Sequence, residues 1–202
     1  MTDTLDDLTH RLLQRAREAG ADAADVLAVR GNSISIDVRN GTLEQAERSE
    51  ATDIGVRVFV GQRVANVSSS DVRADSLAIM AERAVAMARE APDDPYVGLA
   101  DPDQLTENRA SDWLELYDPT PEPTPAELEQ DARDAESAAL EVAGITQVSA
   151  SSAGYGSQEI HLAASNGFSA GYQRSSRSVS CVAIAGTGTG MERDSDGDQR
   201  LF

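Results

Sequence analysis

Ser33-Ile34-Ser35-Ile36-Asp37-Val38-Arg39-Asn40-Gly41 sets the reading of the rest of the chain. Polar and apolar side chains alternate through Arg39, which is the period of a strand with one wet face. Asn40 and Gly41 both accept positive φ, so the pair predicts a type I′ hairpin turn. Leu43 to Ser49 returns in alternation. Upstream, Val26 to Val29 reads as a short buried strand. Downstream, Ile54, Val56, Val58 and Val60 alternate again, Gly61-Gln62 turns the chain, and Val64 to Val67 pairs back. Two helical stripes flank these strands. Leu5, Leu8, Leu12, Leu13, Ala16 and Ala19 form the first, with Thr4 and Asp7 as a capping box and Gly20 at its end. Leu77, Met80, Ala81, Ala84, Met87 and Ala88 form the second, in a helix expected to begin near Ser70 or Asp71.

The second half repeats this plan. Thr124-Pro125-Ala126-Glu127 is a helix start with a Thr cap, Pro at the first helical position and Glu at the capping-box position. Leu128, Ala132, Ala135, Ala139 and Val142 make its apolar face. Ile145 to Ala150 and Glu159 to Ala164 read as strands joined by a Gly154-Tyr155-Gly156 turn. Asn166-Gly167 mirrors Asn40-Gly41, and Phe168 to Arg174 and Ser176 to Ala185 complete a meander. All seven prolines lie between Pro92 and Pro125 and separate the halves. Trp113, Leu114, Leu116 and Tyr117 sit in that segment, so it reads as an arm packed on the surface rather than a plain linker. The expected organisation is a first α+β unit over 1–91, the Pro-rich arm over 92–124 and a second α+β unit over 125–202. The fold class is α+β, with two similar helix-plus-antiparallel-meander units, stacked or joined into one large sheet, and helices covering one face.

Composition narrows the function classes. Formal charge is −18, from 35 acidic residues against 17 arginines and no lysine. This balance repels phosphates and anionic lipids, so neither nucleic acid nor membrane is an expected partner. No apolar run of about 18 residues is present, and the acidic N-terminus lacks the regions of a signal peptide. A cytoplasmic protein is expected. Cys181, the single cysteine, has no disulfide partner within the chain and reads as a packed strand residue among Val179, Val182 and Ile184. A reactive thiol needs a cationic neighbourhood, for which only Arg174 and Arg177 are near in sequence.

The chemical motifs are sparse. His10 and His161 are the only histidines, and neither has a neighbour at metal-site spacing. His10 is expected on a wet helix face and His161 as a structural strand residue. Gly186-Thr187-Gly188-Thr189-Gly190 lacks the Lys and following helix of a phosphate loop and reads as a connector. Asp194-Ser195-Asp196-Gly197-Asp198 is out of register for a calcium loop. Ser175, Ser176, Ser178 and Ser180 have no base nearby in sequence. No catalytic, metal or cofactor-binding residue is assigned.

Taken in order, several stretches resemble one family. Gly31 to Gly41, Gly55-Val56-Arg57-Val58 and Ser68-Ser69-Ser70-Asp71 resemble the N-terminal region of the TldD/PmbA proteins. Ser165-Asn166-Gly167-Phe168, Ser176 to Val182 and Gly190-Met191-Glu192-Arg193-Asp194 look like the PmbA branch, also called TldE, and Asp94-Pro95-Tyr96 fits too. The resemblance implies a soluble, cytoplasmic protein of a heterodimeric metalloprotease that trims peptides and degrades unfolded chains. PmbA is also named for antibiotic-peptide maturation and as a modulator of DNA gyrase. In this family the zinc site, HExxxH with a further Cys, belongs to the C-terminal domain of TldD, and substrate binds there as an added strand. Zinc is therefore expected only in a TldD-type partner. The family continues into a C-terminal β-rich domain, and a Tyr expected after Asp194 is replaced by Ser195-Asp196-Gly197. A fragment, a truncated gene or a designed piece is the expectation.

The resulting expectation is a non-catalytic N-terminal domain that shapes the chamber and the interface with a TldD-like subunit, or self-associates. A stand-alone binding or assembly module is the alternative. Acidic mimicry of DNA, acting on a DNA enzyme, is a third reading.

Overall fold

The structure is a computed structural model and describes residues 3–201. Three helices and six strands run in the order α1 (Leu5–Glu18), β1 (Ala23–Arg39), β2 (Thr42–Val60), β3 (Arg63–Ser69), α2 (Ala74–Glu90), α3 (Pro125–Leu140), β4 (Ile145–Ala164), β5 (Ser169–Ala185) and β6 (Glu192–Leu201). The strands form one antiparallel sheet in the order β3-β2-β1-β4-β5-β6. This is two three-stranded meanders joined through β1 and β4, so of the two arrangements open to the sequence the single sheet is the one formed.

The strands are fewer and longer than expected. Val26–Val29 and Ser33–Arg39 are parts of one 17-residue strand, and Leu43–Ser49 and Ile54–Val60 are parts of one 19-residue strand. The expected turn at Gly154-Tyr155-Gly156 does not exist, because β4 runs unbroken through it. At Gly154 the strands come close instead. A Cβ on Gly154 would stand 3.3 Å from Ser178 Oγ and 3.5 Å from the Ile34 carbonyl. β6 was not foreseen; its polar sequence has no apolar alternation.

Local signals fixed the Asn-Gly turns and two of the three helix starts. Asn40 has φ 52° and Gly41 φ 68°, as a type I′ turn requires. In the Asn166-Gly167 turn only Gly167 is left-handed, with φ 92°. Thr4 caps α1 and Thr124 caps α3, each in a full capping box with Asp7 and Glu127 respectively. α2 begins at Ala74, later than Ser70 or Asp71. The Asp71 carboxylate stays outside the helix, where it accepts the Ser76 hydroxyl at 2.7 Å and the Arg73 backbone N–H at 3.1 Å.

The chain gathers into two compact units, each assembled from three separated segments. The first holds residues 1–31, 51–114 and 159–173, and the second 32–50, 115–158 and 174–202. These spatial clusters cut across the divisions 1–91, 92–124 and 125–202, because β1, β2, β4 and β5 each contribute a section to both.

In the first unit, Leu5, Leu8, Leu12 and Ala16 of α1 meet Val26 of β1, Val56 and Val58 of β2, and Leu77, Ala81 and Val85 of α2. Alternation along each strand and the i, i+4 spacing of the helices bring these side chains to a common core. In the second unit, Ile34, Ile36 and Val38 of β1 pack with Leu128 and Ala132 of α3 and Ala153 of β4.

The proline arm has two short 3₁₀ turns, at Pro102–Gln104 and Asp112–Leu114. Trp113 is 70% exposed, its Nε1–H donating to the Ala110 carbonyl at 3.1 Å. Polar contacts hold the arm down. In the first unit Asn166 Nδ2 donates to the Ala100 carbonyl at 2.9 Å. In the second, the Ser175 N–H donates to the Leu116 carbonyl and the Asp118 N–H to Ser175 Oγ, both at 2.8 Å.

Candidate functional site

The second unit contains an open groove of about 520 Å³. α3 builds one wall. Its Leu128, Ala132 and Glu136 point into the core, which turns Ala135 and Ala139 to the side, with Val142 just past the helix end. β5 builds the floor with Val179, Cys181 and Ala183. β6 pairs antiparallel with β5 so that Asp198 lies opposite Val179, Asp196 opposite Cys181 and Asp194 opposite Ala183. Side chains two apart share a strand face. The apolar floor therefore continues into a row of three carboxylates, all lining the groove.

Cys181 is half-buried in this floor, and burial pushes its thiol above the ordinary range. The two arginines near it in sequence are engaged elsewhere, Arg177 with Asp131 at 2.5 Å and Arg174 with Gln158 at 2.8 Å. The thiol thus has the packed setting read from the sequence. Ser175 anchors the arm, and Ser178 lies against Gly154. The glycine run forms a single 3₁₀ turn leading into β6. Asp194–Asp198 lies in an extended strand, so its carboxylates fan along one face instead of converging as calcium ligands do.

Glu136 is the side chain that sequence reading passed over. It is 3% exposed, and its two carboxylate oxygens accept the backbone N–H groups of Asn40 and Gly41, each at 2.7 Å. A buried charge needs such donors. The signal was present: Glu136 continues the Leu128, Ala132 spacing of the buried helix face.

In the first unit the fold brings together the two histidines that lie far apart in sequence. The His10 and His161 ring centroids are 6.2 Å apart. His10 is on the wet face of α1, whereas His161 is largely covered, with Nδ1 2.9 Å from Thr9 Oγ1 and Nε2 3.1 Å from Asp6 Oδ1. The same Asp6 oxygen lies 3.2 Å from His10 Nδ1. Among the described residues no group of three His, Cys, Asp or Glu is placed to hold a metal ion.

Burial pushes His161 below the ordinary imidazole range; Asp6 and the more distant Glu159 oppose this, and His10 adds to it. The unfolded chain consequently binds a proton at this position more readily than the folded one. The contribution of His161 to stability is complete above about pH 6.5 and declines as pH falls below it toward the depressed folded value. Urea denaturation at pH 7.5 and pH 5.5 should show a larger acid loss for the native chain than for His161→Asn. Equal losses would show that His161 does not couple folding to protons.

A six-stranded sheet of two joined meanders with helices packed on it, and a groove beside its acidic edge strand, places the chain in the α+β class. The matches to known proteins are more specific. The model of PmbA/TldA metallopeptidase domain 1 matches residues 24–88, and that of the PmbA/TldA metallopeptidase central domain matches residues 118–202. The chain belongs to the PmbA/TldD metallopeptidase family. It is 32% identical over 177 residues to Metalloprotease PmbA of Escherichia coli O157:H7, covering 86% of this chain and 38% of that protein. It is 30% identical over 192 residues to a Metalloprotease PmbA homolog of Haemophilus influenzae, covering 90% of this chain and 40% of the relative. The chain thus spans about two fifths of the length of these relatives.

Among solved structures, a candidate modulator of DNA gyrase from Bacteroides thetaiotaomicron aligns with a TM-score of 0.85 at 23% identity, over 98% of this chain and 45% of that one. TldE from Thermococcus kodakarensis aligns with a TM-score of 0.77 at 16% identity, over 96% of this chain and 43% of that one. At these identities the likeness shows the fold.

Proposed function

We propose that these residues form a non-catalytic domain of a PmbA/TldE-type subunit. In this reading the domain shapes the chamber and the partner interface of a cytoplasmic TldD/TldE-type metalloprotease that acts on peptides and unfolded chains. The supporting observation is that two consecutive family domains match in order, alongside the likeness to Metalloprotease PmbA. Zinc, in this proposal, belongs to the TldD-type partner. The acidic charge keeps nucleic acid out of the partner set. Among the described residues no helix is long and apolar enough to cross a membrane.

The test is co-purification of the chain with a TldD-type subunit, followed by peptide cleavage with and without added zinc. The expected result is a stable complex that cleaves, and a chain that alone does not cleave even with zinc present. Hydrolysis by the isolated chain with a stoichiometric metal would overturn the non-catalytic role. Absence of a complex would overturn the subunit role.

A further inference from the structure

We infer that the groove between α3 and the β5–β6 ribbon is a docking slot for a cationic amphipathic helix of another protein. α3 already occupies one place on this sheet face, and the slot lies beside it in the same layer. Helices pack side by side on a sheet when the facing ridge is low. Here that ridge is Ala135 and Ala139, one turn apart, leading to Val142. Val142 is 57% exposed, so an apolar edge of the slot stands in water.

Charge decides the occupant. Asp194, Asp196 and Asp198 line the far side of the slot, across from Ala183, Cys181 and Val179. Arg200 Nε lies 3.1 Å from Asp198. Among the described residues no arginine forms an ion pair with Asp194 or Asp196. A helix whose apolar stripe meets α3 and the floor, and whose flank carries Lys or Arg, satisfies both the apolar wall and the open carboxylates. An acidic helix or a nucleic acid strand meets repulsion at the same rim. This chain has no lysine, and its arginine-bearing helices α1 and α2 bury their own apolar faces in the first unit. Neither of these two helices is left free to fill the slot.

Cys181 provides the readout, because it is the only cysteine and lies in the floor of the slot. The probe is a synthetic Ala/Leu-rich helical peptide of about 18 residues, long enough to hold helix in water. Lysines flank its apolar stripe, and a second peptide carries Glu in place of each Lys. The saturating Lys peptide should slow alkylation of Cys181 at least ~10-fold, with affinity falling as salt rises. The Glu peptide should leave the rate unchanged. The double variant Asp194→Asn/Asp196→Asn should bind the Lys peptide ~10-fold more weakly while keeping the native circular dichroism. Ala139→Arg, which fills the slot with a like charge for the peptide, should abolish protection.

Equal binding of both peptides, binding without protection of Cys181, no binding, or an unchanged affinity in the double Asn variant would each overturn the inference. The slot does not rest on the peptidase reading. A chain that fails to bind a TldD-type subunit yet is protected by the Lys peptide keeps the slot and loses the subunit role.

Discussion

Replacing Glu136 with alanine should lower the unfolding free energy by about 2–4 kcal/mol, as expected when buried donors lose a charged acceptor. The reason lies in what the carboxylate holds. The Asn40–Gly41 turn points two backbone N–H groups inward, and each donates to one Glu136 oxygen at 2.7 Å. Glu136 is buried, so water does not replace the lost acceptor without opening the packing over it. Glu136→Gln keeps one carbonyl oxygen but faces the second N–H with an amide donor, so it should lie between alanine and the native residue. Chemical denaturation measures the loss, and hydrogen exchange locates it: the Asn40 and Gly41 amides should lose protection first. A loss under about 1 kcal/mol would mean that the turn stands on its Asn-Gly chemistry alone.

Leu12→Ala should cost a further large amount, about 2–5 kcal/mol, for a different reason. Leu12 is fully buried on α1 among residues of β1, β2 and α2. Removing its branched end leaves a void bounded by β1, β2 and α2, which do not collapse into it without giving up their own contacts. Leu12→Met keeps the volume and should cost less than about 1.5 kcal/mol. Exchange protection should fall in α1 and α2. If the two compact units are energetically separate, α3 keeps its protection; a uniform loss across both would show that they unfold together.

Much of the local structure was legible. Thr124-Pro125-Ala126-Glu127 and Thr4 with Asp7 set two helix starts, because a cap needs only residues within one turn. Asn40-Gly41 set a hairpin for the same reason. Glycine was misread where its role is long-range. Gly154 and Gly156 resemble turn residues in isolation, but they lie inside β4, where a Cβ on Gly154 would come within 3.3 Å of Ser178 Oγ on β5. β6 was illegible because a polar edge strand is specified by its pairing with β5 rather than by alternation of its own. The histidine pair was out of reach, since only the docking of α1 near β4 brings Asp6, Thr9 and His10 to His161.

The chain by itself determined its helices, its Asn-Gly turns, its α+β class and its family, all of which follow from side-chain period, capping chemistry or residue order over short spans. The joining of two meanders into one sheet, the burial of Glu136 and the acidic edge of the groove were decided only by tertiary structure. Each depends on groups far apart in sequence, whose pairing energy appears only once the backbone has brought them into contact.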